Sequence, residues 1–519
     1  MQHIGLIDLC RGFRCEFLEE QTVATGPLNA LFIIADQFRP DCLGIAGNPV
    51  IQTPHLDALA REGTLFKKCF VQTAPCGPSR MCIFTSRYLC STRAVDNQTP
   101  LIDAEENLAM ALREGGYAPG IMGYNDYAVD PRILPPEDPR TREINCDNFL
   151  PGFDLALRHE YDSPEYFEML RQKGYPEALL NHEAIHSPNV PAEGPGDHLP
   201  LRYPAHYRAE DSEGRFVTQA AIDYLRDRRD TGWVLSLNYL KPHPPRICAA
   251  PYNDMYNPAD LPAPNRRPEE LGSTHPYLSR VHREPKLVPE RDLRETQANY
   301  YGMITELDAC LGLLFRALKD SGQWDRTLIL FSSDHGEYLG DHYLTGKGQF
   351  YDETMRVPLI IRDPSPEADA TRGRQLDRFV ESIDLAPTVL DFLGLPVPDR
   401  FQGQSVLGQV RGGAPSKFEI FYEKDFRSEM KAVPGQDPDR CLLWVVRDDA
   451  YKLVHFADAS LPLLLFDLRR DPGEQQNLAE DRAHLPVVLD YLQRLLRWRM
   501  KHEDQRMEHW AWPLRQKSG

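Results

Sequence analysis

Short apolar segments that run directly into acidic residues constrain the fold of this chain more than any other feature. Residues 31–35 (LFIIA) lead into Asp36, and residues 327–331 (TLILF) lead through two serines into Asp334. Continuous apolar runs of this length are typical of strands that are buried on both faces of a sheet. The carboxyl ends of parallel strands meet at one edge, where ligands bind. We therefore expect Asp36 and Asp334 to lie beside one crevice.

Helical segments alternate with these strands. Residues 53–63 begin with Thr-Pro, repeat apolar side chains at helical spacing and end in glycine, while residues 295–320 carry a long apolar stripe. Residues 232–240 and 357–362 provide two more buried strands, of which the first ends at the prolines of KPHPP. The pattern predicts an α/β sandwich with a large mixed, mostly parallel sheet flanked by helices.

Changes in composition along the chain predict its division into domains. Residues 1–26 are expected to form an N-terminal arm, residues 27–410 the α/β domain, and residues 411–519 a smaller C-terminal α+β domain with a short antiparallel sheet. Two excursions, residues 152–207 and 258–292, are rich in proline, glycine and charge, which favours lids or oligomer arms over core.

The overall composition excludes several classes of function. The 519 residues carry a formal net charge of −18, which argues against a general role on nucleic acid or on an anionic membrane. No apolar run approaches the ~18 residues of a membrane span, and the N-terminus lacks the pattern of a signal peptide. Eleven cysteines without a CxxC pair suit a reducing compartment, so the chain is predicted to be cytoplasmic. Residues 258–292 and the apolar Trp510-Ala511-Trp512 tail predict a homo-oligomer, either a dimer or a tetramer.

Cys76 lies in the segment TAPCGPSRMCIFTS, where several roles are open to it: packing, a disulfide, a metal ligand, or the precursor of a more reactive group. Pro78 and Ser79 are favourable at the start of a helix, whose free N–H groups face anions. Arg80 would then lie one turn away, beside whatever Cys76 becomes. The spacing is consistent with an anion site beside residue 76.

The run Cys76-Gly77-Pro78-Ser79-Arg80, followed by Thr85-Ser86-Arg87, resembles the signature of the sulfatase family of the alkaline phosphatase superfamily. The family usually has glycine where this chain has Ser86. The resemblance extends from about residue 30 to about residue 479 and implies an alkaline-phosphatase-like sandwich. In that family a dedicated formylglycine-generating enzyme oxidises the signature cysteine to formylglycine. The same fate is implied for Cys76, with that enzyme as a partner during maturation.

The resemblance also implies the chemistry of the site. Hydrated formylglycine is a geminal diol: one hydroxyl attacks sulfur or phosphorus, and loss of the proton from the other then expels the acid anion. Asp36, Gln37, Asp334 and His335 occupy the positions of the family's metal ligands, together with residue 76. These donors suit one divalent ion, for which Mn²⁺ and Ca²⁺ rank close together. Such an ion lowers the pKa of the diol and screens the substrate anion.

Three further residues match catalytic positions of the family. Arg80 is implied to steady the diol, and Lys347, in the run GDHYLTGKG, to bind the substrate anion. His243, in KPHPP, is implied to protonate the departing alcohol or phenol.

One departure from the family concerns the substrate. Many sulfatases have Gly-Lys-Trp-His after the second strand where this chain has GYNDY, so that Tyr124 and Asp126 replace two cations. Fewer cations weaken attraction for a dianion, such as a phosphate monoester, more than for a monoanionic sulfate or phosphonate ester. Together with Asn97, which is also implied to contact substrate, these features resemble the phosphonate monoester hydrolase branch and its close arylsulfatase relatives. Asp126 matches the usual residue of neither subgroup.

The sequence thus predicts a formylglycine- and metal-dependent hydrolase of small monoanionic esters. The favoured activity is that of a sulfuric ester hydrolase of the arylsulfatase type that also accepts phosphonate monoesters and phosphodiesters. One alternative makes a phosphonate monoester or a phosphodiester the main substrate. Another, from a different class, is a catalytically silent protein that binds anions or partners and keeps Cys76 unmodified. For His182, His186 and His198 a solvated loop is expected rather than a second metal site.

Overall fold

The computed structural model describes residues 26–138, 149–161, 163–191, 202–282, 288–430 and 437–503. The N-terminal arm up to residue 25, the Trp510-Ala511-Trp512 tail and His198 lie outside these ranges. Eight cysteines of the described residues are free thiols. Among the helices in these ranges, none combines the length and the apolar composition needed to cross a membrane.

The large sheet has eight strands, as the described residues show it. They are β1 (Asn29–Ala35), β2 (Thr64–Phe70), β3 (Gly120–Gly123), β4 (Asp154–Arg158), β5 (Val234–Tyr239), β6 (Thr327–Ser333), β7 (Arg356–Arg362) and β8 (Arg374–Glu381). Their order is β4-β3-β5-β1-β6-β7-β2-β8, and within this set only β7 runs antiparallel to its neighbours. The predicted mixed, mostly parallel sheet is confirmed.

Strand β1 lies near the centre of the sheet because both of its faces are apolar. Phe32 and Ile34 enter a hydrophobic core on one side of the sheet, and Leu31 and Ile33 enter a second core on the other. Each such buried side chain stabilises the fold by about 1.5–3 kcal/mol. The continuous apolar run therefore places β1 in the interior of the sheet. The polar residues that follow this run lie at the carboxyl end of the strand.

Helices cover both faces of this sheet. In the described residues they are α1 (Pro54–Glu62), α2 (Cys76–Thr85), α3 (Leu89–Thr92), α4 (Leu108–Glu114), α5 (Pro164–Gln172), α6 (His182–Ile185), α7 (Glu213–Asp227), α8 (Pro276–Val281), α9 (Glu290–Asp320), α10 (Asp352–Met355), α11 (Leu385–Phe392), α12 (Leu407–Val410), α13 (Arg427–Met430) and α14 (Leu485–Lys501). Apolar residues of α1, α7 and α9 pack on one face, and those of α2, α4 and α11 on the other.

A second, smaller sheet lies in the C-terminal part of the chain. Its strands are β9 (Ile420–Asp425), β10 (Leu442–Arg447), β11 (Tyr451–Phe456) and β12 (Leu464–Asp467), in the order β12-β11-β10-β9 and antiparallel throughout. Tyr491 and Trp498 of α14 pack in the same hydrophobic cluster as Cys82 of α2. The small sheet is therefore joined to the main body beside α2. The domain boundary after residue 410 stays a prediction.

Two elements differ from what the sequence predicts. Helix α9 begins at Glu290 rather than at residue 295, because Pro289 precedes it and Glu290 and Asp292 favour the first turn of a helix. Within the first excursion, β4 is the edge strand of the large sheet and not part of a lid. Its five residues are exposed or half-buried, so no apolar run marks it in the sequence.

Candidate active site

Cys76 is the first residue of α2, and its sulfur lies at the sheet edge where β1 and β6 end. Every residue of α2 is buried, so this helix runs through the interior of the molecule. Pro78 lies in the first turn, where a missing N–H leaves no helical hydrogen bond unmade. The backbone N–H of Gly77 donates to Asn97 Oδ1 (3.0 Å). The helix thus begins just before Pro78, close to the predicted start.

Three side chains from distant parts of the chain contact the Cys76 sulfur. Lys347 Nζ lies 2.6 Å, His335 Nε2 3.3 Å and Asp36 Oδ1 3.9 Å from Sγ. Burial raises the pKa of the Cys76 thiol well above its ordinary value, the Asp36 carboxylate adds to the rise, and Lys347 opposes it. The group is therefore a protonated thiol at neutral pH, and a protonated thiol is a weak nucleophile.

Arg80 joins the two strand-end carboxylates. Its Nε donates to Asp334 Oδ2 (2.8 Å) and its Nη2 to Asp36 Oδ2 (3.5 Å). Its Nη1 donates to the Tyr124 carbonyl (2.7 Å) and to Asn238 Oδ1 (3.2 Å). The guanidinium and both carboxylates are fully buried. The structure brings Asp36, Asp334 and Arg80 to one place, as the positions of the strand ends predict.

The two carboxylates differ in pKa. Burial raises the pKa of Asp36, and the neighbouring charge of Asp334 raises it further. Burial also opposes ionisation of Asp334, but Arg80, His335 and Lys347 together hold its pKa below the ordinary value. The edge therefore carries negative charge that an added cation would stabilise.

Gln37, the residue after Asp36, carries a buried side-chain oxygen. The residue has a φ of 66°, a left-handed conformation that is uncommon for residues other than glycine, and its backbone N–H donates to Asp334 Oδ1 (3.1 Å). Its Nε2 donates to Glu337, whereas Oε1 is buried and has no hydrogen-bond partner among the described residues. Leaving such an oxygen unpaired costs about 1–3 kcal/mol. A metal ion would satisfy it.

His335 is oriented as a ligand by its own backbone. Its Nδ1 lies 2.9 Å from the Gly336 carbonyl, and because a carbonyl only accepts, Nδ1 carries the proton and Nε2 a free lone pair. That Nε2 lies 3.6 Å from Asp36 Oδ1 and 3.8 Å from Asp334 Oδ1. Burial lowers the pKa of His335 to about 4, which keeps the imidazole neutral.

These residues fit a divalent ion. Asp36, Cys76, Asp334 and His335 supply donor atoms that all lie within 4.8 Å of one another, and Gln37 adds its unpaired oxygen. Oxygen donors with one imidazole suit Mn²⁺ or Ca²⁺. Asp36, Cys76, Asp334 and His335 therefore lie together in space, while the binding of metal by these residues and by Gln37 stays a prediction.

The predicted substrate-contacting residues flank the start of α2. A Cβ atom added to Gly77 would lie 3.2 Å from both Asn97 Oδ1 and Asp126 Oδ2. The ring of Tyr124 stacks on the guanidinium of Arg80 at 4.8 Å. Burial raises the pKa of Tyr124, so its hydroxyl keeps its proton. All three lie beside the candidate nucleophile, and contact with substrate stays a prediction.

Lys347 and His243 approach from two loops. Burial works against the charge of Lys347, yet Cys76, Asp36 and Asp334 hold its pKa above the ordinary value. His243 Nδ1 donates to the Pro244 carbonyl (2.8 Å), which leaves Nε2 as the free nitrogen. Burial and the charge of Lys347 lower the pKa of His243 to about 3, so the imidazole is neutral at rest.

Sequence reasoning missed three residues of this site. Glu337 is fully buried and accepts hydrogen bonds from Gln37 and Arg246. The hydroxyl of Tyr161 lies 3.3 Å from His243 Nδ1. Glu337 belongs to the SDHGE run that also holds two predicted ligands, and this signal could have identified it. Arg246 directly follows KPHPP, and Tyr161 lies in a segment without a recognisable motif.

Known proteins resemble this chain along nearly its whole length. A family model described as Sulfatase matches residues 28–395, and one described as N-sulphoglucosamine sulphohydrolase, C-terminal, matches residues 340–501. The multifunctional alkaline phosphatase superfamily protein PehA of Trinickia caryophylli is 38% identical over 509 residues, which cover 93% of this chain and 97% of that protein. An arylsulfatase of Clostridium perfringens is 27% identical over 489 residues, covering 90% of this chain and 93% of its own. The solved structure of the phosphonate monoester hydrolase of Agrobacterium radiobacter is 37% identical with a TM-score of 0.86, and the match covers 93% of this chain and 97% of that one.

Proposed function

The chain belongs to the sulfatase family and is an ester hydrolase, and on that premise we propose that it hydrolyses small singly charged esters with a nucleophile formed at residue 76. One observation carries the proposal: Cys76 Sγ lies in a fully buried position between Lys347, His335 and Asp36. The Cys76 sulfur is therefore surrounded by a cation that can bind an anionic substrate and by donor atoms that can bind a metal ion.

We propose further that Cys76 is oxidised to formylglycine. The raised pKa of its thiol supports this, because an unmodified Cys76 would be a poor nucleophile at neutral pH. When present, the hydrated aldehyde supplies one hydroxyl that attacks and a second whose deprotonation expels the acid anion. The formylglycine-generating enzyme is accordingly a proposed partner during maturation.

Asp36, Gln37, Asp334 and His335 would hold one divalent ion, Mn²⁺ or Ca²⁺. Bound there, the ion would supply positive charge that favours an ionised nucleophile and an anionic substrate. Gln37 Oε1 fits this role because it is buried without a hydrogen-bond partner in the described part of the chain.

Side chains of the protein itself bind the substrate and transfer the proton. Lys347 Nζ, already 2.6 Å from Sγ, binds the substrate oxygens, and Arg80 holds both carboxylates in place. His243 carries a proton to the leaving oxygen on Nε2, because Nδ1 is engaged by the Pro244 carbonyl. The charge of the arriving anion favours protonation of His243 and so opposes the effect of Lys347.

The charge balance of the pocket supports a singly charged substrate. Asp36, Asp334 and Asp126 are three acids, whereas Arg80, Lys347 and the proposed divalent ion together supply four positive charges, so the loaded pocket has a surplus of about one positive charge. A singly charged substrate balances this surplus, whereas the second negative charge of a dianion has no matching positive charge among these groups.

Two substrate classes meet this condition. Sulfate esters come first, because the family model is that of the sulfatases and an arylsulfatase matches across the chain. Phosphonate monoesters and phosphodiesters form the second candidate class. The observation that favours it is the high similarity to a protein described as a phosphonate monoester hydrolase.

Steady-state hydrolysis of an aryl sulfate, an aryl phosphonate monoester and an aryl phosphate with one shared leaving group tests the proposal. We expect kcat/KM for both monoanions to exceed that for the dianionic phosphate by at least about tenfold, with all activity lost in Cys76→Ala. The ratio between sulfate and phosphonate identifies the main substrate. An inactive protein with unmodified Cys76 after coexpression with the maturing enzyme would instead support the silent anion-binding alternative.

The compartment and assembly of the protein are proposals as well. A cytoplasmic location is supported by eleven cysteines without paired spacing, and a homo-oligomer by the proline-rich excursion at residues 258–292.

A further inference from the structure

Three imidazoles surround one buried carboxylate outside the candidate active site. His159 follows β4, His182 begins α6, His186 comes directly after α6, and Glu213 is the first residue of α7. His159, His186 and Glu213 are only 1%, 5% and 5% exposed. The expectation of a solvated loop for His182 and His186 is therefore wrong, because α6 packs against α7 and buries the polar side chains between them.

His182, His186 and Glu213 are spaced as ligands that share an ion. Glu213 Oε2 lies 3.1 Å from His186 Nε2, and Oε1 lies 3.4 Å from His159 Nε2 and 3.7 Å from His182 Nδ1. All three nitrogens are buried, and no hydrogen-bond partner exists for them in the ranges that the structure describes. The donor atoms of His182, His186 and Glu213 lie within 4.8 Å of one another. Tetrahedral zinc with bonds of about 2.0–2.1 Å places its donor atoms about 3.3 Å apart.

In His159 and His186, a hydrogen bond at Nδ1 leaves the lone pair of Nε2 pointing at the Glu213 carboxylate. His186 Nδ1 donates to the His182 carbonyl (2.9 Å), because a carbonyl only accepts. The Ser163 hydroxyl gives its hydrogen to the Glu160 carbonyl (2.9 Å), so it must accept from His159 Nδ1 (2.9 Å). In neutral His159 and His186, Nε2 then faces the carboxylate with a lone pair, which is repulsive unless a cation lies between them.

We propose that His182, His186 and Glu213, with His159 beside the same carboxylate, form a second metal site, which binds one Zn²⁺ ion. Two imidazole nitrogens and one carboxylate are a donor set that zinc favours. Orientation of ligating imidazoles by a carbonyl or a hydroxyl on the opposite nitrogen is the arrangement usual around bound metals. The set differs from the oxygen-rich donors beside Cys76, so the two sites select different ions.

The proposed ion stabilises the segment that carries Tyr161, which lies beside the candidate active site. The ring of Tyr161 packs edge-on against His182, with centroids 4.7 Å apart, and its hydroxyl lies 3.3 Å from His243 Nδ1. Glu213 is part of α7, which packs on the large sheet. Zinc therefore ties the first excursion to the sheet and positions Tyr161.

Metal analysis of the full-length protein tests this site. After equilibration with stoichiometric zinc and removal of free metal, we expect about one zinc ion per chain, bound at least about a hundredfold more weakly in His186→Gln. Asp334→Asn should keep this zinc while it loses the ion beside Cys76. Cys76→Ala should keep it too, which separates this proposal from that of the enzymatic activity. His55→Gln, in the distant helix α1, is the matched histidine control and should bind zinc as the parent does.

X-ray absorption at the zinc edge keeps the test independent of how the variants fold. The unaltered protein should show a four-coordinate shell of nitrogen and oxygen with the multiple-scattering signature of several imidazoles. Zinc that remains fully bound in a folded His186→Gln protein, or a parent protein that binds no zinc, overturns the proposal. In either case the cluster of imidazoles around Glu213 is not a zinc site.

Discussion

Replacing Arg80 with methionine tests how the candidate active site balances its charges. Methionine fills much of the same buried volume but removes the guanidinium from Asp36 and Asp334. Breaking a buried ion pair by removing one partner destabilises a protein by about 3–5 kcal/mol. The Tyr124 carbonyl and Asn238 Oδ1 lose their donor as well, at about 1 kcal/mol each. We expect the free energy of unfolding of the metal-free protein to fall by about 5–7 kcal/mol in total.

A bound divalent ion should reduce that loss, because it supplies positive charge to the same carboxylates. Saturating Mn²⁺ should stabilise Arg80→Met more than the parent protein and roughly halve the difference in unfolding free energy. The assay is urea unfolding followed by fluorescence and circular dichroism, in chelator and in Mn²⁺.

Arg362→Met provides a matched control. Arg362 is also buried and donates to the Trp324 and Thr327 carbonyls, but it has no contact with the candidate metal ligands. Its loss of stability should be the same with and without metal. Equal losses for Arg80→Met in both conditions, or a loss below about 1 kcal/mol, would refute the reasoning about charge balance.

Three other changes test separate parts of the account. Lys347→Met should raise KM for an aryl sulfate at least about tenfold, measured by steady-state kinetics, since its charge contacts the substrate; an unchanged kcat/KM would contradict this placement. Asp126→Asn should improve kcat/KM for an aryl phosphate about tenfold more than for an aryl sulfate, because a dianion gains twice from removal of a negative charge; equal changes would exclude Asp126 from the pocket. Although burial opposes it, Glu270 and Glu353 raise the pKa of His342 to about 10. The stabilisation from charged His342 is therefore complete below about pH 6.5 and is lost as pH rises toward 10. The Tm difference between the parent and His342→Gln should be largest near about pH 6 and should narrow with rising pH, whereas a constant difference would argue against a charged His342.

The sheet edge could be predicted from the sequence because its signals are local. The apolar runs before Asp36 and Asp334 identify two strand ends, and the rules for parallel sheets place those ends together. The Cys76–Arg80 run adds a helix start at the same edge. Each inference needs only a short stretch of sequence and one general rule of topology.

What the sequence could not reveal are contacts between segments that carry no periodic pattern. Glu213 contacts His159 and His186 from a different part of the chain, and no local pattern marks these residues as neighbours. Tyr161 reaches His243 in the same way. Such contacts depend on how the loops pack, which is decided by long-range packing and not by local preference.

Mass spectrometry of the peptide that contains residue 76 tests the central claim most directly. The protein should be produced with and without a formylglycine-generating enzyme, and its ester hydrolysis measured on the same samples. With the enzyme, the account predicts a peptide that has lost H₂S and gained one oxygen, at a fraction that matches the specific activity. A peptide with intact cysteine, taken from protein that turns over esters at full rate, would contradict it.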